Sequence, residues 1–500
     1  MTHTETNHAE MTSADWFARA TAIAGAPAIG AVAVAGAEWR AAAQCLAGEG
    51  GRLLALWADD SATTPCVHAA FAALSQVLLL TLPVERGDSY PGIEDLYPAA
   101  SRMQRAAAEL HAVRCTDPDR RPWLVHGPQP QGYAFVRVAG DGVHEIPVGP
   151  IHAGIIEPGH FRFSVVGEKV LRLEERLGYT HKAVERRFAA MSLLDGHRLA
   201  ARLCGDSAVG YSWAYLQALE GMSPVAIPPR AARLRALALE LERIANHLGD
   251  LGALGNDAGF AFGLTQFSRL KELLLRATEL ALGQRYLFDF LVPGGVAADR
   301  GAGGQQALGA CLDRLAAEVP RLREIYDEHA GLRGRYVGAG AVPPALAARL
   351  GATGLAGRAS GQAYDLRGDQ PCEPYAQFPP RKCGAVTGDV AARVAIRFDE
   401  LLDSCRLVQA LAAALPPGPC RVEVAAPPAG SAAIGLIEAW RGPILVALVA
   451  GPAGSIRRCH PHDPSWQNWP VLEHAIIDNI VPDFPLINKS FNLAYSGHDL

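Results

Sequence analysis

The sequence predicts an α+β protein: a small α+β domain over 15–127, a linker and first strands over 128–148, and a mainly helical body over 149–500 with short peripheral β-sheets. Three observations carry that reading. Near the N-terminus, apolar strand-like runs, RLLALWA (52–58) and QVLLLTLPV (76–84), alternate with Ala-rich helical stretches. GPQPQGYAF (127–135) then sets two prolines and two glycines where a linker would lie. Further on, apolar residues recur at three- and four-residue steps, most clearly in RAARLRALALELERIANHLGDLG (230–252), where Leu234, Leu237, Leu241, Ile244 and Leu248 form one stripe.

Taken in order, YAFVRVAGDGVHEIPVGPIHAGII alternates like strands, and FRFSVVGEKVLRLEERLG (161–178) reads as a hairpin around Gly167. Helices are predicted at 181–198, 205–221, 230–252, 265–288, 305–330 and 388–415, with Pro and Gly as stops. The last hundred residues mix short strands, PCRVEVA (419–425) and GPILVALVA (442–450), with an irregular aromatic tail.

Composition narrows the function. Hydrophobic content of 49% with 19% charged residues fits a folded chain, and five hundred residues exceed one ordinary core. A net charge of -5 gives no reason to expect nucleic acid. The ten cysteines form no CxxC pair and read as reduced thiols of an intracellular protein. The polar N-terminus lacks a signal-peptide core. The longest apolar runs, VLLLTL and ILVALV, fall far short of the roughly 20 residues that span a bilayer, so any membrane role is expected from the aqueous side.

Three stretches concentrate chemistry. VGPIHAGIIEPGHFRF (148–163) places His152, Glu157 and His160 in a Gly/Pro-punctuated loop, where solvated side chains are the ordinary outcome. RLCGDSAVG (202–210) sets Cys204 just before a helix starting near Gly205, with Asp206 or Ser207 able to cap it; one thiol cannot hold a metal. HPHDPSWQNWPVLEH (460–474) puts three histidines near Asp463, but H-x-H is not the spacing of a helical pair facing one ion.

In this order and separation, several blocks resemble the large subunit of membrane-bound nickel-iron hydrogenases of the formate-hydrogenlyase type, and its relative, the quinone-site subunit of respiratory complex I. They are GPIHAGIIEPGHF (149–161), LGYTHKAVERRF (177–188), RLCGDSAVG (202–210), LRALALELERIANHLGDLGAL (234–254), RYLFDFLVPGGV (285–296), GATGLAGRASGQAYDLR (351–367), GDVAARVAIRFDELLDS (388–404), IEAWRG (437–442) and NIVPDFPLINKSFNLAYSGHDL (479–500). Upstream, SYPGIEDLYPAASRMQRAAAELHAVRCTDPDRRPWLVHG (89–127) is similar, in degenerate form, to the small subunit that accompanies the quinone-site subunit and is fused to it in the hydrogenlyase type.

The departures decide what the resemblance implies. In the hydrogenases two CxxC pairs hold nickel and iron through four thiolates; here those positions read Cys204, Ser207, Ser465 and Asn468. Hydroxyl and carboxamide groups are poor substitutes for bridging thiolates, so no metal is expected and a nickel-iron centre is disfavoured. In complex I a tyrosine and a histidine bind the quinone head. Tyr215 falls where the resemblance puts the tyrosine, and Pro158 takes the histidine position, flanked by His152 and His160. Glu157, His160, Asp206 and Arg441 form the alternative expectation, a proton-relay network in the vacated cavity.

Two readings stand. In one, the chain passes electrons from a 4Fe-4S cluster in a partner iron-sulfur small subunit to an acceptor, quinone being one the resemblance allows, beside ion-translocating membrane subunits. In the other it is a redox-inactive scaffold of such a complex. Both place it in the cytoplasm, peripheral on the inner face of the cell membrane. Because the chain ends at SGHDL, near where the family body ends, no nickel-triggered C-terminal trimming is expected.

Overall fold

A computed structural model describes residues 11–26, 29–126, 132–151, 156–299 and 301–500. The expected linker residues 127–131 and loop residues 152–155, His152 among them, lie outside the described residues.

The helical body is organised by the helix Pro229–Asp257, which starts on a proline whose missing N–H costs nothing at the first turn. Its predicted stripe, Leu234, Leu237, Leu241, Ile244 and Leu248, is fully buried, mostly against the helices Ala261–Leu282 and Val390–Ala413. Gly283, at φ 80°, ends the first of these; Asp389 caps the second by accepting from the amide of Ala392. Ala302–Glu328 lies alongside.

Charged residues knit the same interface. Glu240 accepts from Arg367, from the Tyr375 hydroxyl at 2.6 Å and from the Ser404 hydroxyl at 2.6 Å, while Arg358 bridges Glu400 at 2.7 Å and Glu438 at 2.8 Å. All are buried, so each charge needs those partners to offset its lost hydration.

The principal sheet has eight strands, drawn from both ends of the chain. In spatial order they are Ile456–His462, Pro443–Ala450, Ala432–Glu438, Thr21–Ala26, Ile29–Ala33, Gln76–Pro83, Cys66–Ala73 and Arg52–Asp59. Thr21–Ala26 joins the two halves by pairing parallel with Ala432–Glu438, Ala24 opposite Ala433. The sheet curls until its outermost strands touch: Arg458 Nη2 donates to the Ala58 carbonyl at 2.8 Å, and His460 stacks on Trp57. The helix Ala208–Gly221 packs so closely on this sheet that a Cβ at Gly435 would lie 1.8 Å from the Ala214 carbonyl oxygen, which requires glycine there.

The hairpin His160–Val166/Lys169–Arg176 turns at Gly167, φ 59°, as expected. Three local expectations are corrected. Residues 181–198 form two short helices, Val184–Phe188 and Gly196–Ala200, because the intervening backbone pairs with 454–456 through Leu193 and Ile456 amides. PCRVEVA is no strand; Arg421 makes only an isolated bridge to Gly295. The aromatic tail is helical, as Ser465–Ala475, Phe484–Phe491 and Tyr495–Asp499. No helix among the described residues is long and apolar enough to cross a membrane.

Candidate functional site

The loop 202–207 and the strand end Glu438–Arg441 meet over the start of the helix Ala208–Gly221. Arg441 donates to both oxygens of Asp206, at 2.7 and 2.5 Å, and lies 3.4 Å from Ser207 Oγ and 3.6 Å from Cys204 Sγ. The Trp440 indole N–H reaches the Asp206 carbonyl at 2.9 Å and Ser207 Oγ at 3.1 Å. Behind the clasp Gly354, at φ +57°, lets its own backbone press on Arg441: a Cβ there would stand 1.8 Å from the Arg441 carbonyl oxygen.

The clasp fixes the charges. Burial raises the Asp206 pKa, but the Arg441 guanidinium outweighs it and holds the carboxyl near about 2. Burial and the Asp206 carboxylate both push the Cys204 thiol well above its ordinary value, so it stays protonated and donates to Asp206 Oδ1 at 3.0 Å.

The helix begins at Ala208, not Gly205, and neither Asp206 nor Ser207 caps it with its side chain. Ser207 turns to Trp440 and Asp206 to Arg441. Glu242, from the neighbouring helix, takes their place, accepting from the Val209 amide at 2.7 Å and the Gly210 amide at 3.2 Å. Burial dominates those contacts and pushes its carboxyl up to about 8, so Glu242 holds its proton at neutral pH. Nothing in ELERIANH distinguished this glutamate beforehand from its neighbour Glu240, which forms ion pairs.

The two C-terminal positions sit on the other side. Ser465 Oγ accepts from the Ala494 amide at 2.9 Å. Asn468 is doubly bound to Thr353, accepting from its amide and donating to its carbonyl, both at 3.1 Å. Asp463 accepts from the Tyr211 hydroxyl at 2.7 Å and from the Ser465 amide at 2.8 Å. Among the described residues no three His, Cys, Asp or Glu side chains converge as metal ligands.

Of the four groups expected to share a relay, Asp206 and Arg441 meet. Glu157 instead accepts from the Ser496 amide at 3.0 Å, near Lys182, and His160 contacts the Gly149 carbonyl and Arg162. Tyr215 is sealed in the core: its hydroxyl donates to the Leu193 carbonyl at 2.8 Å, and its ring stacks on Phe188. The proton of that hydroxyl is therefore already committed to the backbone.

Beside the clasp lies a cavity of about 130 Å³. Asp206, Glu242, Asn246, Lys271, Thr278 and Arg285 supply its polar wall, and Leu275 and Tyr286 much of the apolar one. It can take a small, flat, partly apolar molecule with Glu242 as proton donor and Lys271 as a cation near developing negative charge.

Residues 257–429 match the family model described as respiratory-chain NADH dehydrogenase, 49 Kd subunit. The chain is 30% identical over 393 residues to formate hydrogenlyase subunit 5 of Escherichia coli (strain K12), covering 78% of this chain and 69% of that one. It is 27% identical to an NADH-quinone oxidoreductase subunit of Carboxydothermus hydrogenoformans, covering 71% of this chain and 98% of that one. Among solved structures, a chain of the membrane-bound sulfane sulfur reductase, an archaeal respiratory membrane complex, shares the fold with a TM-score of 0.68 at 23% identity, covering 73% of this chain and all of that one.

Proposed function

The chain belongs to the family of formate-hydrogenlyase-type large subunits and complex I 49 kDa subunits, and on that premise we propose that it is a redox subunit of a membrane-associated complex whose acceptor site is no longer a nickel-iron centre. In this reading it docks on an iron-sulfur small subunit and on ion-translocating membrane subunits, at the inner face of the membrane. Electrons from the partner's cluster reach an acceptor of the quinone class in the cavity beside Asp206.

The residues at the four ancestral positions do not fit nickel and iron. The single sulfur, Cys204, is a protonated thiol facing a carboxylate and a guanidinium, and the Asn468 amide and Ser465 hydroxyl are committed to backbone groups. Soft metals need charged, bridging sulfur.

The observation that carries the acceptor reading is the cavity itself, mostly apolar and walled by a glutamate that is neutral at pH 7. A quinone takes up protons with its electrons, and Glu242 is placed to give one. Leu275→Trp should fill the cavity and abolish reduction of a short-chain quinone by the purified complex without loss of assembly; Glu242→Gln should slow it. Unchanged turnover in both variants would remove the cavity from the mechanism.

The scaffold reading is favoured by a different observation: the Arg441–Asp206–Cys204–Ser207 clasp satisfies itself and asks for no ligand. A complex that assembles with this chain, and reduces no acceptor through it, would support that alternative.

A further inference from the structure

Away from the clasp, where the outermost strands of the large sheet meet, three histidines and two tryptophans form one buried aromatic cluster. Trp466 stacks on His498 at 4.2 Å, on Trp123 at 5.7 Å and on His462 at 5.8 Å, and His460 lies 6.0 Å from His462. Each imidazole spends one nitrogen on a protein partner. His460 Nδ1 meets Glu185 Oε1 at 2.6 Å, His462 Nε2 meets Gln467 Oε1 at 3.2 Å, and His498 Nδ1 meets Asp499 Oδ1 at 2.9 Å.

Those partners assign the protons. Carboxylates accept, so His460 and His498 carry hydrogen on Nδ1. His462 Nε2 lies 3.2 Å from the Gln467 side-chain oxygen and 3.1 Å from its nitrogen, which also donates to the Leu54 carbonyl at 2.7 Å, so either His462 tautomer is served there. Burial keeps all three imidazoles neutral. His460 Nε2 and His498 Nε2 are therefore lone-pair acceptors, and neither these two nor His462 Nδ1 has a protein partner. Two donors beside them, the indole N–H groups of Trp123 and Trp466, have none either. None of these five groups pairs with another.

Five buried orphans in one cluster call for partners, because such groups in folded proteins are satisfied by protein or by ordered water. His460, His462, Trp123 and Trp466 all line one cavity of about 20 Å³; His498 and Trp123 line a second of about 10 Å³. A water needs about 10–15 Å³ and two to four polar partners.

On the other side of His460 a hydrogen-bonded chain leads outward. Glu185, held ionised against burial by Arg458 and the two histidines, contacts His111 Nε2 at 3.0 Å, and His111 Nδ1 contacts Asp60 at 2.9 Å. The Asp60 side chain is 43% exposed, which opens the chain to solvent.

We propose that the aromatic cluster encloses ordered water, and that this water, with His460, Glu185 and His111, forms a proton relay opening at Asp60. A proton on the water is taken by His460 Nε2 as the Nδ1 proton passes to Glu185. His111 carries its hydrogen on Nδ1, with Arg458 Nη2 3.1 Å from its Nε2; it takes the Glu185 proton on Nε2 as its Nδ1 proton leaves to Asp60 and bulk water. Both rings return to the Nδ1–H form before the next transfer. Only N–H and O–H bonds change, and one proton leaves for each that arrives. The relay is independent of what acceptor the neighbouring site reduces.

The test uses the assembled complex and needs no turnover. A high-resolution cryo-EM map should show solvent peaks about 3 Å from His460 Nε2 and His462 Nδ1. A dry cavity, or rotamers that pair these nitrogens directly, would overturn the proposal. After transfer into D₂O, ultraviolet resonance Raman should follow exchange at the Trp123 and Trp466 indoles. His460→Phe, which keeps the stack on Trp57, should slow that exchange by roughly 100-fold, the lower end of what a positioned proton-transfer group contributes. Asp60→Asn, at the surface end and harmless to the core, should slow it as well. Exchange at the wild-type rate in Asp60→Asn and in a folded His460→Phe would refute the relay.

Discussion

Glu242→Gln should reverse the stability order of wild type and variant between about pH 4 and pH 7. The Glu242 carboxyl titrates near 4.5 in the unfolded chain and about 8 in the folded one, because burial outweighs the two amides it accepts from. Below pH 4.5 both states are protonated and the group costs nothing in charge. Between 4.5 and 8 the unfolded chain ionises while the folded chain keeps its proton, so the stability this group contributes falls by about 1.4 kcal/mol per pH unit. At pH 7 the accumulated loss is roughly 3 kcal/mol, and above pH 8 it grows no further. Glutamine does not ionise. Its one carbonyl serves the Val209 amide at 2.7 Å and leaves the longer Gly210 contact unmet, which costs about 1–2 kcal/mol at every pH. The variant is therefore less stable than wild type near pH 4 and more stable by about 1–2 kcal/mol near pH 7. Urea midpoints followed by tryptophan fluorescence across that range measure the difference. A difference that stays constant with pH would show that Glu242 ionises normally, and would refute its role as a neutral proton donor.

Three other substitutions probe the clasp and its surroundings. Arg441→Met leaves the Asp206 carboxylate without its bidentate partner; since that carboxylate is partly exposed, the loss should be about 2 kcal/mol rather than the 3–5 of a fully buried pair, and the Asp206 pKa should rise from about 2, visible in a shifted acid-unfolding curve. Gly354→Ala sets a methyl against the Arg441 carbonyl in left-handed backbone, so it should cost more than about 3 kcal/mol and show as insoluble or early-melting protein. Tyr215→Phe removes only the bond to the Leu193 carbonyl; it should lower stability by about 1 kcal/mol and leave quinone turnover unchanged, as a paired assay and melting curve would show.

What the sequence revealed follows from the range of the interactions involved. The stripe from Leu234 to Leu248 was legible because helical periodicity is local, and so was the Gly167 hairpin. The parallel pairing of Thr21–Ala26 with Ala432–Glu438 was not, since no local pattern encodes a partner four hundred residues away. The helix over 181–198 failed for a related reason: distant backbone at 454–456 took hydrogen bonds that helical periodicity assigns within the segment. At the candidate site, only the family resemblance put Cys204, Ser207, Ser465 and Asn468 forward as vestigial donor positions; nothing in their local pattern did. The clasp between Asp206 and Arg441, and the capping of Val209 and Gly210 by Glu242, needed the third dimension. The histidines of HPHDP lacked the spacing of metal ligands, and their partners were not legible either: in the fold His460 faces Glu185, which comes from a short helix with no local signal linking the two.

The central claim is that this chain's donor atoms cannot hold nickel and iron. Elemental analysis of the purified, assembled complex tests it most directly, with iron counted against the partner's cluster. The expected result is nickel well below one atom per chain, in protein expressed with the metal supplied in excess. Stoichiometric nickel that co-purifies with this subunit would contradict it.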